Sequence, residues 1–401
     1  MGGRRRKILF VAEAVTLAHV ARPWVLARVL PPDRYEVVFA THPRYDRLFP
    51  DPPFRRVAIE SVTPDHFLGA LARGRPPYDK RILESYVEEE EALLARERPD
   101  LVVGDFRLSL PLSCHAAGVP HWAIANAYWS PWADPHYPMP EHITARLFGP
   151  RLAEVLFNRI APLVFGAYTA PFNALCRARG LPGVGRDLRR YYTYADQVLY
   201  ADLPELVPLQ GAPANHHFIG PPAWSPQVEL PEWWEQALAA GRPLIYFTPG
   251  SSGLQAILPR VIEALSRLPV TLVVASAGAG LPASPPDNLY AAPWLPGDQV
   301  ARQAALVICN GGSPTTYQAL AAGAPVLGIP ANLDQYLNMK HLQAAGVGLT
   351  LRSGTLRPQA VVAAVERLLD EPGFTAATRR FQAILAERDA GARFLELVEA
   401  A

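Results

Sequence analysis

His19 and Asp105 in the amino half, and two polar turns near Asn310 and Asp334 in the carboxyl half, hold the residue types from which this chain could build a reaction. The first turn, Asn310-Gly311-Gly312-Ser313-Pro314-Thr315, follows an apolar run from Leu306 to Cys309 and precedes a helix expected from near Thr316. Two glycines let the backbone approach a ligand closely, and the first free N–H groups of the helix point at whatever lies in front of them. A phosphate suits that position. The helix-end field contributes only about 0.3–1 kcal/mol, so holding a diphosphate needs further donors, for which Asn310, Ser313 and Thr315 are candidates. The alternative is a tight strand-to-helix turn with no ligand. The second turn, Pro330 to Asn338, places Asp334 and Gln335 at a helix start beyond the run Val326 to Ile329. A carboxylate and an amide suit adjacent sugar hydroxyls, although Asp334 could equally serve only as a cap. A turn suited to diphosphate beside one suited to a polyol suggests a nucleotide sugar.

The elements around these turns read as alternating strands and helices, the pattern of parallel sheets. In the amino half, Ile8 to Ala12 and Tyr35 to Ala40 are buried strands flanking a helix from Ala18 to Leu30. No Gly-x-Gly-x-x-Gly lies between strand and helix, so a dinucleotide is not expected there. The loop instead delivers His19 to the first helical turn, as either a surface residue or a base. Leu101 to Asp105 is a strand that ends in an acid, and His121 to Asn126 is another. The following loop carries Trp129, Trp132 and His136, read either as an acceptor pocket for an apolar molecule or as core packing. Ile143 to Arg179 is helical, with apolar faces and scattered arginines, and reads as a lid or as a segment resting on a membrane surface; the lid is preferred.

Trp294-Leu-Pro, Asn310-Gly-Gly-Ser-Pro-Thr-Thr, Ala-Ala-Gly-Ala-Pro-Val-Leu-Gly-Ile-Pro, and then Asp334-Gln335 and Asn338, occur in that order. This series resembles the donor-binding signature of family 1 glycosyltransferases, the UDP-glycosyltransferases and bacterial macrolide-type enzymes. The resemblance implies the GT-B fold: α/β, with two Rossmann-like domains facing each other across a cleft. It implies Trp294 stacking on the base, and donor contacts from Gly250, Ser251, Ser252, Asn310, Gly311, Gly312, Ser313, Thr315, Gln318, Asp334 and Gln335. It also implies that His19 deprotonates the acceptor and that Asp105 orients it; the alternative for Asp105 is to cap the helix entered near Ser109. The chain departs from the family in three places. Ala18 replaces a glycine, Asn310 stands where a histidine is usual, and Gln318 stands where many members have a ribose-binding glutamate.

The 401 residues suggest two to three domains. Residues 1–221 are expected to form the acceptor domain, 222–240 a proline-rich linker, and 241–374 the nucleotide-sugar domain, with helices in 375–401 returning to the first. The 38 basic and 37 acidic residues leave a formal charge of +1 and no electrostatic footprint for nucleic acid. Three dispersed cysteines indicate neither disulfides nor a zinc site. A cytoplasmic location is expected, with no membrane span, peripheral contact left open, and a monomer or homodimer. The function expected is inverting, metal-independent transfer of a sugar from UDP or dTDP to a hydroxyl of a small hydrophobic acceptor, with the nucleotide sugar as co-substrate and no cofactor. The alternatives are a nucleotide-sugar 2-epimerase and a catalytically inactive partner protein of the same fold.

Overall fold

The computed structural model describes residues 4–250, 255–280 and 284–401. Its internal packing divides the chain into two units, residues 1–136, 155–222 and 389–401 in one, 137–154 and 223–388 in the other.

In the first unit the strands are β1 (Arg6–Ala12), β2 (Tyr35–Thr41), β3 (Arg55–Ala58), β4 (Leu101–Asp105), β5 (His121–Ala125), β6 (Gln197–Tyr200) and β7 (His216–Phe218). They form one parallel sheet in the order β3-β2-β1-β4-β5-β6-β7. Its helices are α1 (Leu17–Arg28), α2 (Pro64–Ala72), α3 (Lys80–Glu97) and α4 (Leu110–Ala117), then, after α5 (Ile143–Phe148) in the segment of the second unit, α6 (Pro150–Ala178) from residue 155 onward and α7 (Leu188–Tyr192). β4 and β5 are buried along their whole length, as expected of strands covered on both faces. The strand order reverses between β1 and β4, and ligands of open α/β sheets bind beyond the carboxyl ends at such a switch point. Ala12 and Asp105 are register partners there.

The second unit repeats this plan with β8 (Leu244–Thr248), β9 (Thr271–Ala275), β10 (Leu289–Ala292), β11 (Leu306–Cys309), β12 (Val326–Gly328) and β13 (Gly348–Thr350), in the order β10-β9-β8-β11-β12-β13. Its helices are α8 (Trp234–Ala239), α9 (Leu258–Leu265), α10 (Gly297–Gln303), α11 (Ser313–Ala322), α12 (Leu333–Ala344), α13 (Pro358–Asp370) and α14 (Pro372–Ala386); the last helix, α15 (Ala390–Ala400), packs in the first unit. Here the switch point lies between β8 and β11, where Thr248 pairs with Cys309.

Two boundaries differ from the sequence expectation. The tail splits: α14 stays with the second unit because Thr378 Oγ1 donates to Gly323 O at 2.9 Å and Phe374 and Phe381 are buried. Only α15, capped by Asp389, returns to the first unit, where Arg6 donates to Val398 O at 2.8 Å and Phe394 packs on Phe10. The segment 137–154 belongs to the second unit, because Arg352 donates to the carbonyls of Met139 and Pro140 and Tyr336 donates to Glu141 at 2.6 Å. The expected linker 222–240 contains the short helix α8 with Trp234 buried, and the chain changes unit at its start, between Pro222 and Ala223.

Candidate active site

α1 begins five residues after β1, which brings His19 over the switch point in its first turn. Asp105, the last residue of β4, is fully buried, and its Oδ1 lies 2.8 Å from His19 Nδ1. A carboxylate can only accept, so the ring hydrogen is placed on Nδ1; Arg22 Nη2, 3.0 Å from the same nitrogen, donates instead to Oδ1 at 2.6 Å, and Nε2 has no partner among the described residues. One turn along α1, Arg22 grips the same carboxylate with a two-pronged fork, Nε to Oδ2 at 2.8 Å and Nη2 to Oδ1 at 2.6 Å. Its Nη1 donates to Asn126 at 2.7 Å, and Asn126 in turn donates to Asp202 at 3.1 Å. Burial works to lower the basicity of Arg22, but the attraction and hydrogen bonds of Asp105 outweigh it and hold the guanidinium above its ordinary value. The result is a buried polar chain along the carboxyl ends of β4, β5 and β6, with only the histidine partly exposed.

Aromatic rings extend from that histidine. Phe106 stacks on His19 with centroids 4.5 Å apart, Tyr192 meets Phe106 at 5.3 Å, and Trp129 meets Tyr192 at 5.0 Å. Phe106 has φ +56°, a conformation in which non-glycine residues are uncommon and which clusters at functional sites. Its neighbour is anchored: the buried guanidinium of Arg107 donates to Glu90 at 2.6 Å, Glu13 at 3.0 Å and the Glu60 carbonyl at 2.5 Å. Of the three aromatic-loop residues expected at an acceptor pocket, Trp129 alone joins this ring chain. Trp132 packs edge-on against His216 of β7, and His136 is exposed, its N–H donating to Asp134.

In the second unit α11 starts at Ser313, earlier than expected, because Pro314 needs no N–H donor in the first turn. Its cap is Gly312, which has no side chain to cover the helix end. Asn310 shapes the turn by accepting from Gly312 N at 3.0 Å. Gly311 has φ +80°, and a Cβ there would lie 2.6 Å from Met339 Cγ. Across the switch point Gly250 has φ +69°, and its missing Cβ leaves room for the Asn310 amide, 2.8 Å from where that atom would be. Asn310 and Gly250 are therefore brought together, whereas Ser251 and Ser252 lie outside the described residues. Thr315 is half-buried and without a partner among the described residues.

At the second turn the cap is Asn332, which accepts from Gln335 N at 3.1 Å, while Gln335 Oε1 accepts from Ala331 N at 2.9 Å. This reciprocal pair fixes the helix start and leaves Asp334, half-buried in the first turn, outside the capping role. Asn338, fully buried on α12, donates to Gly311 O at 2.8 Å and Thr316 Oγ1 at 2.9 Å, which ties the two turns together. Gln318 is turned aside: its amide donates to Trp224 O at 2.7 Å. Trp294 is half-buried two residues beyond β10. Among the described residues no group of three or more His, Cys, Asp or Glu is gathered as metal ligands would be.

Comparison with known proteins adds to this geometry. Residues 259–393 match the family model "Erythromycin biosynthesis protein CIII-like, C-terminal domain". A PGL/p-HBAD biosynthesis glycosyltransferase of Mycobacterium tuberculosis is 48% identical over 377 residues, 94% of this chain and 88% of the relative. The chain belongs to the GT-B glycosyltransferases. A PGL/p-HBAD biosynthesis rhamnosyltransferase of Mycobacterium bovis is 47% identical over 95% of this glycosyltransferase and 84% of its own length. A relative from the same species named as inactive is 48% identical over 66% of the chain. Among solved structures, the kitacinnamycin glycotransferase covers 99% of both chains with a TM-score of 0.72 at 19% identity, which is likeness of fold. The aligned plan is the one found here, two parallel sheets each flanked by helices.

Proposed function

We propose that this glycosyltransferase moves a sugar, with inversion and without a metal, from a UDP- or dTDP-linked donor to a hydroxyl of a small hydrophobic acceptor. The observation that supports this best is the 2.8 Å bond between His19 and Asp105, which leaves Nε2 open beside the Phe106–Tyr192–Trp129 rings. Nε2 takes the proton of the acceptor hydroxyl as its oxygen bonds to the anomeric carbon. The bond from that carbon to the diphosphate breaks, and the leaving oxygen keeps the electron pair. Asp105 stabilises the imidazolium formed, with its own charge already shared with Arg22. The turn from Asn310 to Thr315 and the uncovered start of α11 meet the departing diphosphate with fixed donors. The names of the relatives favour rhamnosyl as one of the sugars to try.

The test is transfer from UDP- and dTDP-sugars, rhamnose included, to phenolic and aliphatic alcohols, with product configuration read by NMR. His19→Ala is expected to lose roughly 10²–10⁴ in turnover while the donor still raises the melting temperature. Near-normal turnover of that variant removes His19 from the role. Because one relative is named inactive, donor binding by the wild type without transfer or hydrolysis would select the inactive-partner reading instead.

A further inference from the structure

The large apolar side chains left exposed among the described residues all fall within one stretch of 21 residues, 143–163. On α6 they are Leu152, Val155, Leu156, Ile160 and Leu163, at i, i+3, i+4, i+8 and i+11, so they form one face over about three turns. The opposite face, with Ala153, Ala161, Phe165 and Phe172, is buried. A helix packed on one side normally turns polar groups to water on the other, and this one turns leucines. Just ahead of it, Ile143, Leu147 and Phe148 of α5 are exposed as well, Leu147 at 69%.

The exposed charged residues among them are of one sign. Arg146, Arg151 and Arg159 are exposed and make no ion pair among the described residues. Glu154 is the single acid of the stretch; it is half-buried and accepts from Met139 N at 3.0 Å. In a chain whose formal charge is +1, this is a local concentration of free positive charge on an apolar face. No helix among the described residues is long and apolar enough to cross a membrane. Apolar residues flanked by arginines on a helix too polar to span are the signature of a segment that lies in a lipid interface.

We propose that the α5–α6 stretch seats the enzyme on an anionic lipid surface, with the leucines and isoleucines at the acyl boundary and Arg146, Arg151 and Arg159 among the phosphate headgroups. A second copy of the chain is the poorer occupant, because a symmetric contact would bring these like charges together without acids to meet them. The proposal stands apart from the identity of the sugar or acceptor.

The experiment is flotation of the full chain with neutral phosphatidylcholine vesicles and with vesicles containing about 30% anionic phospholipid. The wild type is expected to float with the anionic vesicles and to detach as salt screens the arginines. Leu156→Glu with Ile160→Glu is expected to lower the partition at least a hundredfold, about tenfold or more for each side chain withheld from the lipid. Arg151→Gln with Arg159→Gln should lower it roughly thirtyfold and remove most of the salt dependence. An unchanged melting temperature shows that the variants are folded. A wild type that floats with neither vesicle, or a glutamate variant that floats like the wild type, overturns the proposal. So does a wild-type dimer, seen by light scattering, that the glutamate pair dissociates while vesicle binding is absent.

Discussion

Replacing Arg22 by methionine keeps the length and apolar bulk of the side chain and removes only its fork. Asp105, with no exposure to water, then keeps only the bond from His19 Nδ1 and loses two charge-assisted bonds at 2.6 and 2.8 Å. Breaking a buried pair from one side costs about 3–5 kcal/mol, most of it the stranded charge. For a unit of this size that corresponds to a melting transition lower by about 6–20 °C. Calorimetry reads it, and the double variant R22M/D105N separates the causes. If the stranded carboxylate is the cause, neutralising it restores about 2 kcal/mol or more of the loss, although turnover stays low because His19 no longer has its orienting charge. An R22M protein within about 1 kcal/mol of wild type, or a double variant no more stable than the single one, refutes the reasoning.

Acid should weaken the first unit through His121. Burial pushes its imidazole down to about 4, against the attraction of Asp196, while the unfolded chain titrates near the ordinary 6.5. Between those values the unfolded chain binds more protons, so the contribution is full above about pH 6.5 and is lost as the pH falls toward 4, of order 3 kcal/mol. Denaturation midpoints of wild type and His121→Gln across that range should converge at low pH, and parallel profiles would count against it. Gly311→Ala should cost about 1–3 kcal/mol from its positive φ and the 2.6 Å approach to Met339 Cγ, and should weaken donor binding in a thermal-shift titration. Asn332→Ala should cost about 1 kcal/mol by removing the cap of α12, measured by denaturant unfolding, with little effect elsewhere.

The second-unit turns were legible as turns because their signals are local: glycine, asparagine and serine lie between an apolar run and a helix. The boundary of α11 was misplaced by three residues because the proline was read as part of the turn, whereas it opens the helix. The network around Asp105 was legible only in part. His19 and Asp105 carried a resemblance, but Arg22 carried none, although its position three residues beyond His19 puts both on one face of α1. Asn126 and Asp202 reach the network through strands 76 residues apart, a separation no spacing rule covers. Phe106 was invisible because nothing in an aromatic side chain announces a left-handed backbone. Trp132 shows the converse: composition placed it with Trp129, but the fold sent it toward β7.

The excursion of residues 137–154 bears on how such enzymes can be recombined. Chimeras of two-domain proteins are usually cut once, at the linker, and here that cut falls near Pro222. A carboxyl half grafted at that point would arrive without Glu141, and Tyr336 and Arg352 would lose the carboxylate they share at 2.6 and 3.2 Å. Exchanging the second unit of this chain therefore requires two insertions of sequence, 137–154 and 223–388, exchanged as a matched pair.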